Sequence, residues 1–267
     1  LTSHFRLRTG TVQGVKHTKL GTNNQDAVLT QQFEVPKRNK TYRVGVISDG
    51  CSGIPAFTHS EVGAHLLVTC CLARVQSLIL REIPLVDIPG VLYHLVMDSM
   101  HGLTDIIMPA RTHWPYNMRF TRERDAYRNE LNANQRFTVD YLAATLAGFI
   151  DDGETLVVFR ADDGVLAIDD ELFVVDQNNE PAYPMLSPSG SFETLTFASA
   201  DVSRLCLATD GIKELLTADD LLLPGALFEA NPANPMGLQY KLNRLRKECG
   251  EKMGDDCTII TRERWEE

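Results

Sequence analysis

The chain has 267 residues, long enough for one substantial core or at most two small domains, and its 43% apolar and 23% charged residues are an ordinary globular composition. Its 36 acidic against 26 basic residues leave a formal charge of −10, and no Lys/Arg run interleaves with aromatics, so nucleic acid and anionic membrane are poor partners. The longest apolar stretches, such as 62–72 and 205–208, fall short of a bilayer span, and LTSHFRLRTG lacks a signal-peptide core. The expectation is a soluble, cytoplasmic protein.

In chain order, residues 5–49 read as strands: TVQGV, AVLTQQF and TYRVGVISDG are rich in β-branched and aromatic residues and are separated by turn formers. Helical spacing of apolar positions follows over 58–81 and 88–107, with Pro84 and Pro89 between them. Residues 108–137 are polar and read as an irregular insertion. Strands return over 138–150, 154–160, 164–169 and 171–176, joined by Asp-Gly or Asp-Asp turns. A Pro/Ser/Gly loop at 181–191 precedes strands at 192–197 and 203–209. The last third holds a short helix after Asp210, the connection PGALFEANPANPMG, a basic helix over 238–249 and a closing strand over 257–261. No repeat or low-complexity linker divides 1–267, so a single α+β domain with helices covering antiparallel sheets is expected.

Four acids recur in one kind of place: Asp26 in NNQDAV, Asp49 in VGVISDG, Asp210 in LCLATDG and Asp255 in GDDCTII. Asp49 and Asp210 each end a buried apolar strand and precede a glycine, which lets the backbone turn sharply and leaves its carbonyl accessible. One Asp-Gly after a strand is usually only a turn. Two of them, with acidic turns at both ends of the chain, suit a hard divalent cation bound by carboxylate and carbonyl oxygens. Converging carboxylates repel, and divalent ions would neutralise that charge.

The ordered set NNQDA, VGVISDGCSG, RADDGVLAI, LCLATDG and GDDCTII resembles the metal-dependent protein phosphatase 2C family, and HTKLGTNNQDA resembles its compact bacterial branch. The resemblance spans roughly 11–261. It implies a four-layer α-β-β-α sandwich, two antiparallel sheets flanked by two helices on each side, with two Mg²⁺ or Mn²⁺ ions in a cleft at one end. By the same resemblance Asp49 bridges both ions, the Gly50 carbonyl binds one, Asp210 and Asp255 complete the first ion's ligands, and Asp26 orients bound waters. Asp163 is the candidate for a weaker third ion shared with Asp210. Asp255 is preferred to Asp256 because the family ligand lies three residues before the Thr entering the last strand, here Thr258; Asp256 then fills a slot where Asn is common. The implied activity is hydrolysis of phosphoserine and phosphothreonine in proteins by a monomer opposed to a Ser/Thr kinase, with a metal-bridging water attacking phosphorus in line.

Three departures stand out. Gly21 occupies the position, five before Asp26, where many members carry a phosphate-binding Arg; Lys19, Arg8 or Lys16 are substitutes, and Lys19 is the candidate named here. Gln25 replaces a common Glu beside Asp26, keeping an acceptor and losing a charge. Cys51 stands where some members have a His proposed as general acid. These departures favour, as the rival reading, a phosphatase-like module that binds a phosphoprotein without turning it over.

Other chemistries find no support. A cysteine phosphatase needs C-x5-R, and Phe57 stands six residues after Cys51. No G-x-S-x-G or P-loop occurs. His59, His65, His94 and His101 lack HExxH spacing and read as surface or packing residues. The six cysteines show no CxxC pair, so most of them are expected to be reduced core residues.

Overall fold

The computed structural model describes residues 4–51, 59–107, 137–161, 163–175, 183–187, 190–216 and 234–265. The insertion expected at 108–137 (save Phe137), much of the 181–191 loop, most of PGALFEANPANPMG and the residues following Cys51, Phe57 among them, lie outside these.

Among the described residues, runs of β-branched and apolar residues form ten strands, all paired antiparallel in two five-stranded sheets. The first sheet has the order β1 (His4–Val12), β10 (Cys257–Trp265), β9 (Arg204–Ala208), β6 (Val165–Ile168), β7 (Glu171–Val174). The second runs β2 (Ala27–Val35), β3 (Lys40–Ser48), β4 (Leu146–Asp151), β5 (Thr155–Ala161), β8 (Glu193–Ala198). Central strands are buried on both faces, as all six residues of β4 are, five of them uncharged and the last, Asp151, paired with Arg262.

Ile47, Phe149, Val158, Leu166, Leu207 and Ile260 form the core between the sheets. Gly45 sits where a Cβ would come 2.5 Å from the Phe149 ring, so its lack of a side chain lets that ring fill the layer. On the outer face of the second sheet pack α2 (Ser60–Leu80) and α3 (Ile88–Ile107). By length and a mean hydropathy of 1.5, α2 would also suit a bilayer. Instead Ala64, Leu67, Val68, Cys71, Val75, Leu78 and Ile79 are buried against α3, β2 and β3, which makes α2 a core helix. The first sheet is covered by α5 (Gly237–Glu248), whose Leu238 and Leu242 pack on Val12, Ala208 and Ile259. The described residues also form α1 (Val15–Leu20), before β2, and the short α4 (Lys213–Leu216), after β9. The expected α+β sandwich of antiparallel sheets and covering helices is therefore present.

Three local expectations are corrected. TVQGV is not one strand: β1 stops at Val12, and Val15 enters α1, which ends at Gly21 in the left-handed conformation, φ 68°. Residues 138–142 form one π-helical turn instead of a strand, and β4 begins at Leu146. The closing strand runs on to Trp265 because it pairs with β1 along its whole length. His59 stacks on Tyr141 with ring centres 5.1 Å apart, a packing role, and none of the six cysteines forms a disulfide.

At the far end of the sandwich from Asp26 and Asp49, Arg262 is wholly buried. Its Nε donates to Asp151 Oδ2 (2.9 Å), its Nη2 to Ser199 Oγ (2.6 Å) and its Nη1 to Val202 O (2.8 Å), and its guanidinium lies 3.7 Å from the Phe5 ring centre. Removing one partner strands a buried charge. Asp151→Ala is expected to lower stability by about 3–5 kcal/mol in urea denaturation, with the metal response of the folded fraction unchanged; a loss below about 1 kcal/mol would show the pair to be hydrated.

Candidate metal centre

The strands bring five acids to one end of the two sheets: Asp26 precedes β2, Asp49 follows β3, Asp163 precedes β6, Asp210 follows β9 and Asp255 precedes β10. Carboxylate oxygens of Asp49, Asp163 and Asp210 lie within 4.8 Å of one another. Asp26 and Asp163 are 5% and 4% exposed, whereas Asp49 and Asp210 keep partial contact with solvent. Asp26 joins the group through Asp49, the two carboxyls being within hydrogen-bonding reach. Asp255 is at the rim, its side chain 25% exposed, and its charge acts on both Asp49 and Asp210. Asp163 therefore belongs to the tightest carboxylate group, and Asp255 flanks it.

The glycines after Asp49 and Asp210 serve close approach instead of an unusual turn, since neither has a positive φ. A Cβ on Gly211 would stand 1.9 Å from the Asp256 carbonyl oxygen, and one on Gly50 would stand 2.6 Å from the Gln25 carbonyl oxygen. Gly50 N–H in fact donates to that Gln25 carbonyl (3.2 Å), while Asp49 N–H donates to Thr145 Oγ1 (3.0 Å) and Thr145 N–H to Asp49 O (2.8 Å). The loop carrying Asp49 and the Gly50 carbonyl is thus held from both sides by backbone bonds.

Electrostatics sets the character of the cluster. Burial, followed by the charges of Asp26, Asp210 and Asp255, raises Asp49 well above the ordinary carboxylate value. Burial and the nearby Asp256 push Asp26 up to about 8, although hydroxyls of Thr209 and Thr258 pull it the other way. Burial and the charges of Asp163 and Asp255 bring Asp210 to about 6, against the opposing field of Lys213. Thr209 Oγ1 donates to Asp26 Oδ2 at 2.8 Å, while Asp26 Oδ1 is buried with no hydrogen-bond donor among the described residues. An all-oxygen set that is buried and mutually repelling fits a hard divalent cation. Asp49, Asp163 and Asp210 would hold it, with Asp255, the Gly50 carbonyl and Asp26 alongside.

Asp256, in the slot where Asn is common, has its own task. It is 2% exposed; Gly14 N–H donates to Oδ1 (2.7 Å), Gln25 N–H donates to Oδ2 (2.5 Å), and His17 Nδ1 stands 2.8 Å from Oδ2. Its carboxylate ties α1 and the NNQD loop to the start of β10. His17, Asp255 and Asp256 also place one donor atom each within 4.8 Å of one another. Because both Asp256 oxygens already accept amide hydrogens, we read this group as a clamp and not as an ion site. The field of the acids raises the His17 pKa despite the lowering effect of its burial.

Several neighbours escaped the sequence reading. Thr209 and Thr258 hold Asp26, and Thr258 N–H also donates to Thr209 Oγ1 (2.9 Å). Tyr183, from an otherwise unremarkable PAYPM stretch, packs by Cys51; burial, Cys51, Asp49 and Asp163 all raise its pKa. Lys19 lies on the face of α1 opposite His17, since residues two apart on a helix point about 200° from each other. Gly21 caps α1, its N–H donating to Thr18 O (3.3 Å), so the position where an Arg was sought is taken up by ending a helix.

Raised carboxylate pKa values mean that, without metal, the folded protein binds more protons than the unfolded chain. The associated stability is complete below the ordinary value of 3.8 and is lost as pH rises through about 6 and 8. The metal-free protein should therefore melt at progressively lower temperature between pH 5 and pH 8. Asp49→Asn should raise that Tm at pH 8 by about 2–4 °C and remove the further rise produced by Mn²⁺ in the wild type. A metal-free Tm that climbs over this range, or a destabilised Asp49→Asn, would contradict the account.

The profile of the Protein phosphatase 2C family matches residues 13–247. No curated protein matches the chain in sequence comparison. Solved structures match in fold. A bacterial serine phosphatase bearing a single substitution aligns at TM-score 0.60 and 13% identity over 98% of this chain and 99% of that one. The catalytic domain of the serine/threonine phosphatase PstP, in complex with two manganese ions, aligns at TM-score 0.57 and 14% identity over 99% and 100%. Stp1 from Staphylococcus aureus aligns at TM-score 0.57 and 14% identity over 98% and 94%. With that sequence profile covering most of its length and the acids gathered where two sheets end, the chain belongs to the protein phosphatase 2C family.

Proposed function

We propose that this chain hydrolyses phosphoserine and phosphothreonine in proteins, using divalent cations held by Asp49, Asp163 and Asp210 with Asp255 at the rim. The observation that carries the reading is the convergence of the Asp49, Asp163 and Asp210 carboxylates within 4.8 Å, with the pKa values of Asp49 and Asp210 raised by burial and by the neighbouring acids. Bound there, Mg²⁺ or Mn²⁺ would supply a water deprotonated near neutral pH and would polarise phosphoryl oxygens. The chain's own groups do the positioning. Thr209 and Thr258 fix the Asp26 carboxyl so that it accepts a hydrogen bond from the attacking water. Asp256 holds the backbone of Gln25 and thereby the direction in which Asp26 points. Tyr183 keeps its hydroxyl proton beside Cys51 and is an O–H donor close to Asp49 and Asp163, a place from which it can hydrogen-bond the leaving oxygen.

Turnover of a generic phosphoester and of a phosphothreonine peptide, each with and without Mn²⁺ or Mg²⁺, tests the reading. Metal-dependent hydrolysis is expected, falling to background in Asp210→Asn and by about 10–100-fold in Asp26→Asn. Tight binding of the phosphopeptide with no turnover under any metal would favour the rival, a phosphoprotein-binding module, which Gly21 in place of an arginine would also suit.

A further inference from the structure

Beside the metal centre, between α1 and the C-terminal end of α5, lies a groove of about 660 Å³. Its walls carry Lys19, Arg246, Lys247 and Lys252 against Glu248 and Glu251. Glu248 is already paired with Arg244 (3.1 Å), whereas Lys19, Lys247 and Lys252 make no ion pair among the described residues. A surplus of positive charge in one concave place is unexpected on a chain whose total is −10. Complementing the negative end of α5 accounts for Arg246 and Lys247, which sit in its last turn. Lys19 ends α1 and Lys252 ends the 3-10 turn Gly250–Lys252, so cations from three separate segments meet in one groove, which no single helix end requires.

Part of this surface is preorganised. Arg246 Nε donates to Gln13 O (2.7 Å) and its Nη2 to Thr18 Oγ1 (3.1 Å), so the guanidinium is held while the lysines around it stay exposed. Gly250 leaves the guanidinium uncovered, since a Cβ there would come 3.1 Å from Arg246 Nη1.

The position of the groove ties it to the acids. Val15 and Lys19 line it from one face of α1, and His17, on the opposite face, contacts Asp255 and Asp256. One helix therefore separates groove from carboxylates, about 10 Å, which an extended peptide covers in about three or four residues.

We propose that this groove receives an acidic stretch of the phosphoprotein substrate, three to five residues from the phosphorylated side chain. The proposal rests on the phosphatase reading for the word substrate, and on charge complementarity for the site. Carboxylates of the bound segment would meet Arg246 as a fixed fork and Lys247 and Lys252 as adjustable partners. Selection of acidic sequences would then arise away from the metal ions, which answers the repulsion an acidic peptide meets elsewhere on this surface.

Two measurements test it separately from catalysis. Fluorescence anisotropy of a labelled Asp/Glu-rich peptide, without metal, is compared with that of a neutral peptide for wild type, Lys247→Glu, Lys252→Glu and the distant, equally exposed Lys37→Glu. Kinetics with Mn²⁺ use phosphothreonine peptides bearing an acidic run on either side, a neutral phosphopeptide and a small generic phosphoester. Each groove variant is expected to weaken acidic-peptide binding and to raise its KM about five-fold at low salt, with the effect shrinking at high salt. The generic phosphoester rate and the neutral peptide should be unaffected, as should all readouts in Lys37→Glu. Equal binding of acidic and neutral peptides by wild type, or losses no greater than in Lys37→Glu, would overturn the proposal. Absence of metal-dependent turnover alongside Lys252-dependent acidic-peptide binding would sink the phosphatase reading and leave the groove standing.

Discussion

Repulsion among carboxylates that the fold pushes together is the constraint from which the rest of this molecule follows. Asp49, Asp163 and Asp210 converge within 4.8 Å, and Asp26 lies against Asp49 with one oxygen that meets no donor among the described residues. Such a cluster opposes folding unless protons or cations occupy it. The two sheets absorb the cost, with residues from both sheets and the loops between them packed around an apolar middle. A stable scaffold that holds a locally unfavourable charge group is the usual trade between stability and function.

The convergence depends on backbones passing at contact distance. Gly211 against the Asp256 carbonyl and Gly50 against that of Gln25 leave no room for a Cβ, and Asp256 binds the Gly14 and Gln25 amides together. The five acids of the metal centre gather at one end, while Arg43, Arg262 and Arg264 surround Phe5 at the other, with Asp151 as the buried counter-charge of Arg262. That far end contributes stability without touching the chemistry.

Much of the layout was legible in the sequence because the strands are long apolar runs bounded by turn residues, and because an acid at the end of such a run has few places to go. Asp49 and Asp210 could be nominated on that ground, Asp26 and Asp255 as acidic turns at the two ends of the chain, and family order added Asp163. What stayed illegible was tertiary. The α1 helix has six residues and begins inside TVQGV, too short for any periodicity to show. The π turn at Thr138–Leu142 is set by burial of Val139, Asp140 and Tyr141, so its β-branched residues misled. Asp256 looked like a spare neighbour of Asp255 because only the packed structure reveals the amides it accepts. The glycines were read as turn formers, and the reason for them, a carbonyl belonging to a distant segment, lies beyond any local pattern.

Proton release on metal binding tests the central claim most directly. Calorimetric titration of the metal-free protein with Mn²⁺ at pH 7, repeated in buffers of differing ionisation enthalpy, counts the protons expelled as the ion enters. With Asp26 at about 8 and Asp49 raised well above its ordinary value, at least about one proton per protein should leave, and the number should fall as pH rises. Binding without proton release at pH 7 would mean that the carboxylates are already ionised and unstrained, and the account of a frustrated cluster awaiting a cation would be wrong.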